Sequence, residues 1–160
     1  FRAMGIILGD YVERPEPAVF PAGWAPDMKA FYCGLDPTTK ELTPADKRNI
    51  EGWYEKTIGE VPRWVTVLGK IEPVSLKSYR AKWEGCFRGA LPKQMMPYLM
   101  IRHNIVTGNA NGLREAVLLG KAWGVSNAYI ANTMIQGAYY FTGLERLEIV
   151  DDAITTLLSE

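Results

Sequence analysis

The chain holds one histidine, His103, and two cysteines, Cys33 and Cys86. That is too few soft ligands for an ordinary zinc site, and the cysteines stand in no metal-like spacing. A disulfide between them has no support in the sequence, so both read as reduced thiols, Cys86 as a helix core residue and Cys33 without an assigned place. Charge of one sign is also missing: 18 Lys and Arg balance 18 Asp and Glu. Without a basic or acidic excess there is no electrostatic footprint for nucleic acid or for an anionic membrane. No apolar run reaches the roughly 20 residues of a bilayer-spanning helix, and no charged start leads into a secretion-signal core. No strand pattern and no internal repeat stand out. These absences point to a cytoplasmic, all-α protein with neither metal nor cofactor, whose partners are small molecules or other subunits.

Apolar residues are plentiful, at 48% of a 160-residue chain, enough to bury the core of one domain. The first three residues precede Met4, a natural start, and read as a cloning remnant. From residue 4 to residue 42 the chain carries Pro15, Pro17, Pro21, Pro26 and Pro37, too closely spaced for long helices or central strands. This predicts an extended proline-rich arm. Its Phe20, Trp24, Phe31 and Tyr32 are too apolar for a free tail, so the arm is expected to pack along the helical body or a neighbouring subunit.

Residues 43–160 read as a helical domain of about seven helices. Thr43, Pro44 and Asp46 make a helix start: a capping hydroxyl, a pre-set φ and a favourable charge. That helix runs to about Lys56, and Gly59 breaks it. Val61 to Lys70 forms a second helix with Trp64, Val65 and Leu68 inward. A third follows Pro73, where Leu76, Tyr79, Trp83, Cys86 and Phe87 repeat at helical spacing, while Lys77, Arg80, Lys82 and Arg88 read as a solvated face. Gly89 ends it, and Pro92 opens a fourth helix reaching Thr107. That helix is apolar on nearly every side and is expected at the centre of the protomer or of a subunit interface. Gly108 to Asn111 turns the chain, a fifth helix ends at Gly124, and a sixth starts at Ser126. Thr142 and Glu145 stand in capping-box spacing before a seventh that buries Leu144, Leu147, Val150, Ile154 and Leu157.

The stretch from Leu91 to Gly124, LPKQMMPYLMIRHNIVTGNANGLREAVLLGKAWG, carries a resemblance. With Val61-Pro62, Leu76, Tyr79 and Gly89-Ala90-Leu91-Pro92 before it, and Ile130 and the run Gln136 to Gly143 after it, it resembles the carboxymuconolactone decarboxylase and alkylhydroperoxidase D-like family across residues 50–158. The resemblance implies an all-helical fold, a homo-oligomer such as a trimer or hexamer, lyase chemistry in the breakdown of aromatic compounds, and a pocket near the Gly108 to Asn111 turn. The family's catalytic groups do not carry over. The peroxidase branch's two thiols fall on Asn109 and Gly112, its glutamate on Pro97 and its histidines on Asn111 and Ala116, so thiol peroxidase chemistry is excluded. The decarboxylase branch's histidines also match Asn111 and Ala116.

Any chemistry must therefore come from the residues present. Arg102 and His103, adjacent on an apolar helix, suit carboxylate binding and proton transfer. They equally suit an Arg102–Glu115 pair and a His103 bonded to a backbone carbonyl. Adjacent helix residues point about 100° apart, so one pocket does not receive both from one chain. Asn104 shares a helix face with the family's glutamate position. Asn109 and Asn111 read as helix caps or as pocket donors that orient substrate. Glu115 directly follows the turn and is the best carboxylate for a general base, with Arg114 beside it as a second carboxylate holder. Its ordinary alternative is a favourable helix-dipole contact or an ion pair. Tyr79, Trp83, Trp123, Tyr139 and Tyr140 are core residues or walls of an aromatic pocket.

Two functions remain open. One is a cofactor-independent enzyme moving a proton on a small carboxylate or lactone, with Arg102 or Arg114 holding the acid and Glu115 or His103 as the base. The other is a non-catalytic ligand-binding or structural subunit of an oligomeric complex.

Overall fold

The structure is a computed structural model and describes residues 31–36, 38–87 and 95–159, without the side chains of residues 86, 87, 95 and 96. Expectations for the arm before Phe31, for Gly89 to Pro92, and for the side chains of Cys86, Phe87, Met95 and Met96 lie outside the described residues.

The described residues form seven α-helices and no strand: α1 (Pro44–Ile58), α2 (Arg63–Ile71), α3 (Pro73–Phe87), α4 (Met95–Thr107), α5 (Ala110–Ala122), α6 (Asn127–Phe141) and α7 (Asp152–Ser159). A two-turn connector, the 3₁₀ helix Leu144–Ile149, joins α6 to α7. None of these helices is long and apolar enough to cross a membrane. Helix starts follow local chemistry. The Thr43 hydroxyl accepts from the Asp46 N–H at 3.1 Å while the Asp46 carboxylate accepts from the Thr43 N–H at 3.1 Å, a reciprocal box that satisfies two otherwise unpaired donors. Gly59 ends α1 at φ 80°, in the left-handed region that a side chain disfavours. Asn109 and Ser126 cap α5 and α6 through their side-chain oxygens.

Helix α4 packs on α5 and α6, with α7 closing the far side. Ile101, Ile105, Leu113, Val117, Ile130, Met134 and Ile154 form the core between them. A second core joins α1, α2 and α3 to α5 through Ile50, Tyr54, Val65, Leu76 and Leu119. Phe31 also belongs to it, fully buried with its ring 4.3 Å from that of Trp123. The end of the arm thus lies against the helical body. Helix α4 is central but not enclosed: Ile101 and Ile105 are buried, whereas Leu99 and His103 are exposed.

The structure corrects two expectations. The seventh helix is split, because Gly143 at φ 113° and the 3₁₀ helix precede a fresh start at Asp151, whose carboxylate accepts from the Ile154 N–H at 2.9 Å. The Thr142 hydroxyl donates back to Ala138 O and makes no box with Glu145, and Leu144 is half exposed. The second correction is larger: Lys77 and Arg80 are not a solvated face. Lys77 Nζ lies 2.8 Å from Asp46 Oδ2 and also donates to Thr39 Oγ1 and Glu41 O. Arg80 has no exposed surface; its guanidinium lies 4.3 Å from the centre of the Trp53 ring and 5.2 Å from that of Trp83. Its Nη2 donates to Phe31 O at 2.6 Å. Nη1 sits 3.4 Å from Glu84 Oε1, a charge contact without hydrogen-bond alignment. Glu84 in turn accepts from the Cys33 N–H at 3.0 Å. Lys77, Arg80 and Glu84 therefore face the segment entering α1 and hold it down, whereas Lys82 is exposed as expected and Arg88 lies outside the described residues.

Candidate functional site

A cavity of about 530 Å³ opens where α4 turns into α5, within the size range of small-molecule sites. Helices α1 to α3 supply an aromatic wall: Tyr54, Trp64, Tyr79 and Trp83, with Leu68 between them. Trp64 meets Tyr54 edge to face at 6.0 Å and Tyr79 at 5.2 Å. The rest of the lining mixes polar and apolar side chains. Helix α4 presents Met100 and Asn104 one turn apart, and Leu99 and His103 on the neighbouring row. Asn109, Asn111 and Glu115 come from the turn and the first turns of α5.

Glu115 is the one carboxyl among these lining residues. Trp64 Nε1 donates to its Oε2 at 2.9 Å, and the Tyr54 hydroxyl donates to the same carboxylate. Burial raises the proton affinity of Glu115; the Trp64 and Tyr54 bonds and the Arg80 charge oppose this without cancelling it. Burial also pushes the Tyr54 hydroxyl up, and the Glu115 charge adds to the shift. The two groups therefore share a proton-rich corner. Asn104 Nδ2 donates to Met100 O at 2.8 Å. Its Oδ1 lies beside Gly112, where any side chain would collide with it and with Asn109 Nδ2. Glycine at 112 is what lets the two amides approach the start of α5. Asn109 Oδ1 accepts from the Gly112 N–H at 2.9 Å, so the cap and the pocket position belong to one residue.

Five of the seven residues singled out from the sequence thus line one cavity: Glu115, His103, Asn104, Asn109 and Asn111. Arg102 and Arg114 do not, which corrects their placement as carboxylate holders beside Glu115. Arg102 projects toward α6, its guanidinium 4.0 Å from the centre of the Phe141 ring and bonded to the Tyr98 hydroxyl. Two steps of about 100° separate it from Asn104, so the helix sends the two side chains apart. It makes no pair with Glu115. Arg114 forms a forked, exposed pair with Glu60 at 3.0 and 3.1 Å. Of the aromatic candidates, Tyr79 and Trp83 join the wall, whereas Trp123 packs on Phe31 and Tyr139 meets Tyr140 edge to face at the surface.

The sequence reading missed Tyr54 and the indole N–H of Trp64 as partners of Glu115. Their spacing along the chain carries no local signal, though a Trp53-Tyr54 pair on an otherwise polar helix marks a buried stripe. Cys33 is a free thiol whose Sγ donates to Glu84 Oε1 at 3.3 Å. Burial pushes it up to about 12, with Arg80 opposing and Glu84 assisting. It is thus no thiolate nucleophile near neutral pH. Among the described residues no three His, Cys, Asp or Glu side chains gather as a metal site needs. No protein-family model, curated protein or solved structure matches the chain.

Proposed function

We propose that the chain is a cofactor-independent, proton-transferring enzyme in which Glu115 moves a proton on a small lactone or related carbonyl compound. This is the reaction class implied by the resemblance to carboxymuconolactone decarboxylase. One observation carries it: a buried carboxyl with raised proton affinity stands at the wall of a roomy cavity, fixed by Trp64 and Tyr54. A carboxyl tuned upward exchanges protons effectively near neutral pH. As a base, ionised Glu115 takes a proton from the carbon beside the carbonyl, and the electron pair moves onto the carbonyl oxygen. The amide N–H groups of Asn109 and Asn111 are placed to donate to that oxygen. As an acid, Glu115 returns the proton to carbon. His103, exposed at the rim, exchanges protons with solvent. With Arg102 and Arg114 turned away, an uncharged lactone suits the cavity better than a free carboxylate. Exposed Leu99, Ile135, Tyr139 and Phe141 favour a homo-oligomer, a trimer or hexamer by the same resemblance. A cytoplasmic location belongs to the same reading.

A second reading, a non-catalytic binding protein or structural subunit, is favoured by the two donors on Glu115, which also suit a fixed anchor. Unsaturated γ-lactones incubated with the protein in D₂O separate the two. Enzyme chemistry gives deuterium beside the carbonyl, by NMR, at a rate reduced about 10²- to 10⁴-fold in Glu115→Gln. Lactones that raise the melting temperature yet never exchange support the binding protein. Normal exchange in both Glu115→Gln and His103→Gln removes the assignment of the base.

A further inference from the structure

We propose that the same cavity is a receptor for small organic amines, with the ammonium group seated against the aromatic wall and facing Glu115. Tyr54, Trp64 and Tyr79 meet successively edge to face, with interplanar angles of 88° and 77°. Rings set at right angles form corners, and a corner surrounds a compact cation with negative ring faces better than a flat stack does. Trp83 extends the wall, and Glu115 stands in it as the counter-charge. Among the described residues no Lys or Arg lines the cavity. One ring of this wall already serves a cation: the buried guanidinium of Arg80 lies over Trp83, and over Trp53, which is not part of the lining. A carboxylate ligand meets the reverse situation, a carboxyl and ring faces in place of a guanidinium. The volume admits a ring-sized amine and leaves the Asn109 and Asn111 amides for a hydroxyl or carbonyl at its other end.

This inference goes beyond the proton-transfer reading and does not require Glu115 to act as a base. It does carry a proton signature. Glu115 faces Tyr54 from α1, Tyr79 and the Arg80 charge from α3, and His103 from α4. A bound ammonium adds positive charge to that set and favours the ionised carboxylate. Binding therefore releases a proton from Glu115, and affinity rises with pH until the empty site is itself ionised.

Benzylamine, benzyl alcohol and benzoate share a ring and differ in charge, and calorimetric titration of the intact chain with each tests the proposal. Benzylamine is expected to bind about tenfold more tightly than benzyl alcohol, with benzoate weakest. At an acidic pH where the empty site holds its proton, its binding heat should change between buffers of different ionisation enthalpy. Glu115→Gln should cost benzylamine about tenfold and leave benzyl alcohol within about twofold. Trp64→Phe, which keeps a ring but loses the indole, should weaken the amine and spare the alcohol. Benzoate binding as tightly as benzylamine overturns the proposal, as does an amine preference that survives Glu115→Gln, or failure of all three to bind a folded protein. Amine binding without deuterium exchange on lactones leaves this inference standing and removes the catalytic one; exchange without amine preference does the opposite.

Discussion

Asp46 and Glu115 are both buried or half-buried acids near the start of a helix, yet they are held in opposite ways. Burial alone pushes both carboxyls upward. Around Asp46 that push is outweighed by the Lys77 ammonium, the Thr43 box and the Asp36 N–H, which bring the carboxyl down to about 2. Glu115 receives only neutral donors at close range, and the Arg80 charge acts on it from behind the aromatic wall. Its carboxyl therefore stays above the ordinary range. One acid has been made a permanent anion that fastens the chain; the other has been left able to change charge beside a cavity. The difference lies in the partner, not in burial.

The comparison breaks hardest at Lys77. Lys77→Met strands a buried Asp46 and should cost about 3–5 kcal/mol in denaturant unfolding, whereas the double change with Asp46→Leu should recover most of it. Next in size is the acid limb of stability. Asp46 is lowered in the folded state, so its contribution is complete above about pH 4 and is lost as pH falls toward about 2. Asp46→Asn should remove that limb from a pH series of melting temperatures. Trp64→Phe takes one donor from Glu115, should cost about 1–2 kcal/mol, and should move the carboxyl further up in a side-chain carbon NMR titration. Glu115 itself has the opposite sign: raised in the fold, it weakens stability as pH climbs from about 4.5 through its folded value. Glu115→Gln should flatten that slope while changing neutral stability by less than about 1 kcal/mol. Smallest of all, Arg114→Ala removes a solvent-exposed pair with Glu60, should cost less than about 1 kcal/mol, and should leave ligand affinity unchanged.

The helix boundaries were legible because their causes are local. Thr43 with Asp46, Gly59, Asn109, Gly124 and Ser126 each act within one turn, and each marks a helix end in the structure. Lys77 and Arg80 were misread because polarity was taken as exposure. Yet Arg80 sits four residues after Leu76 and three before Trp83, on the apolar stripe itself, and its buried state follows from that position. At the site, Glu115, Asn104 and the asparagines of the turn were gathered by laying helix spacing on the pocket position that the family resemblance implies. Their partners could not be gathered so: Trp64 and Tyr54 reach Glu115 from the far side of a tertiary contact, and no spacing rule connects them. The split before α7 hid for a related reason, since Gly143 and Asp151 offered a rival start to the one that Thr142 and Glu145 spelled out.

Phe31 emerges early in synthesis, yet the ring it packs against, Trp123, is made in the second half of the chain. The guanidinium that donates to its carbonyl, that of Arg80, arrives in between. During translation the segment entering α1 therefore waits for α3 and then for α5 before it can settle, a long-range closure of the kind that folds slowly. The ribosome delivers Phe31 ahead of both partners, and the fold uses it only once they exist.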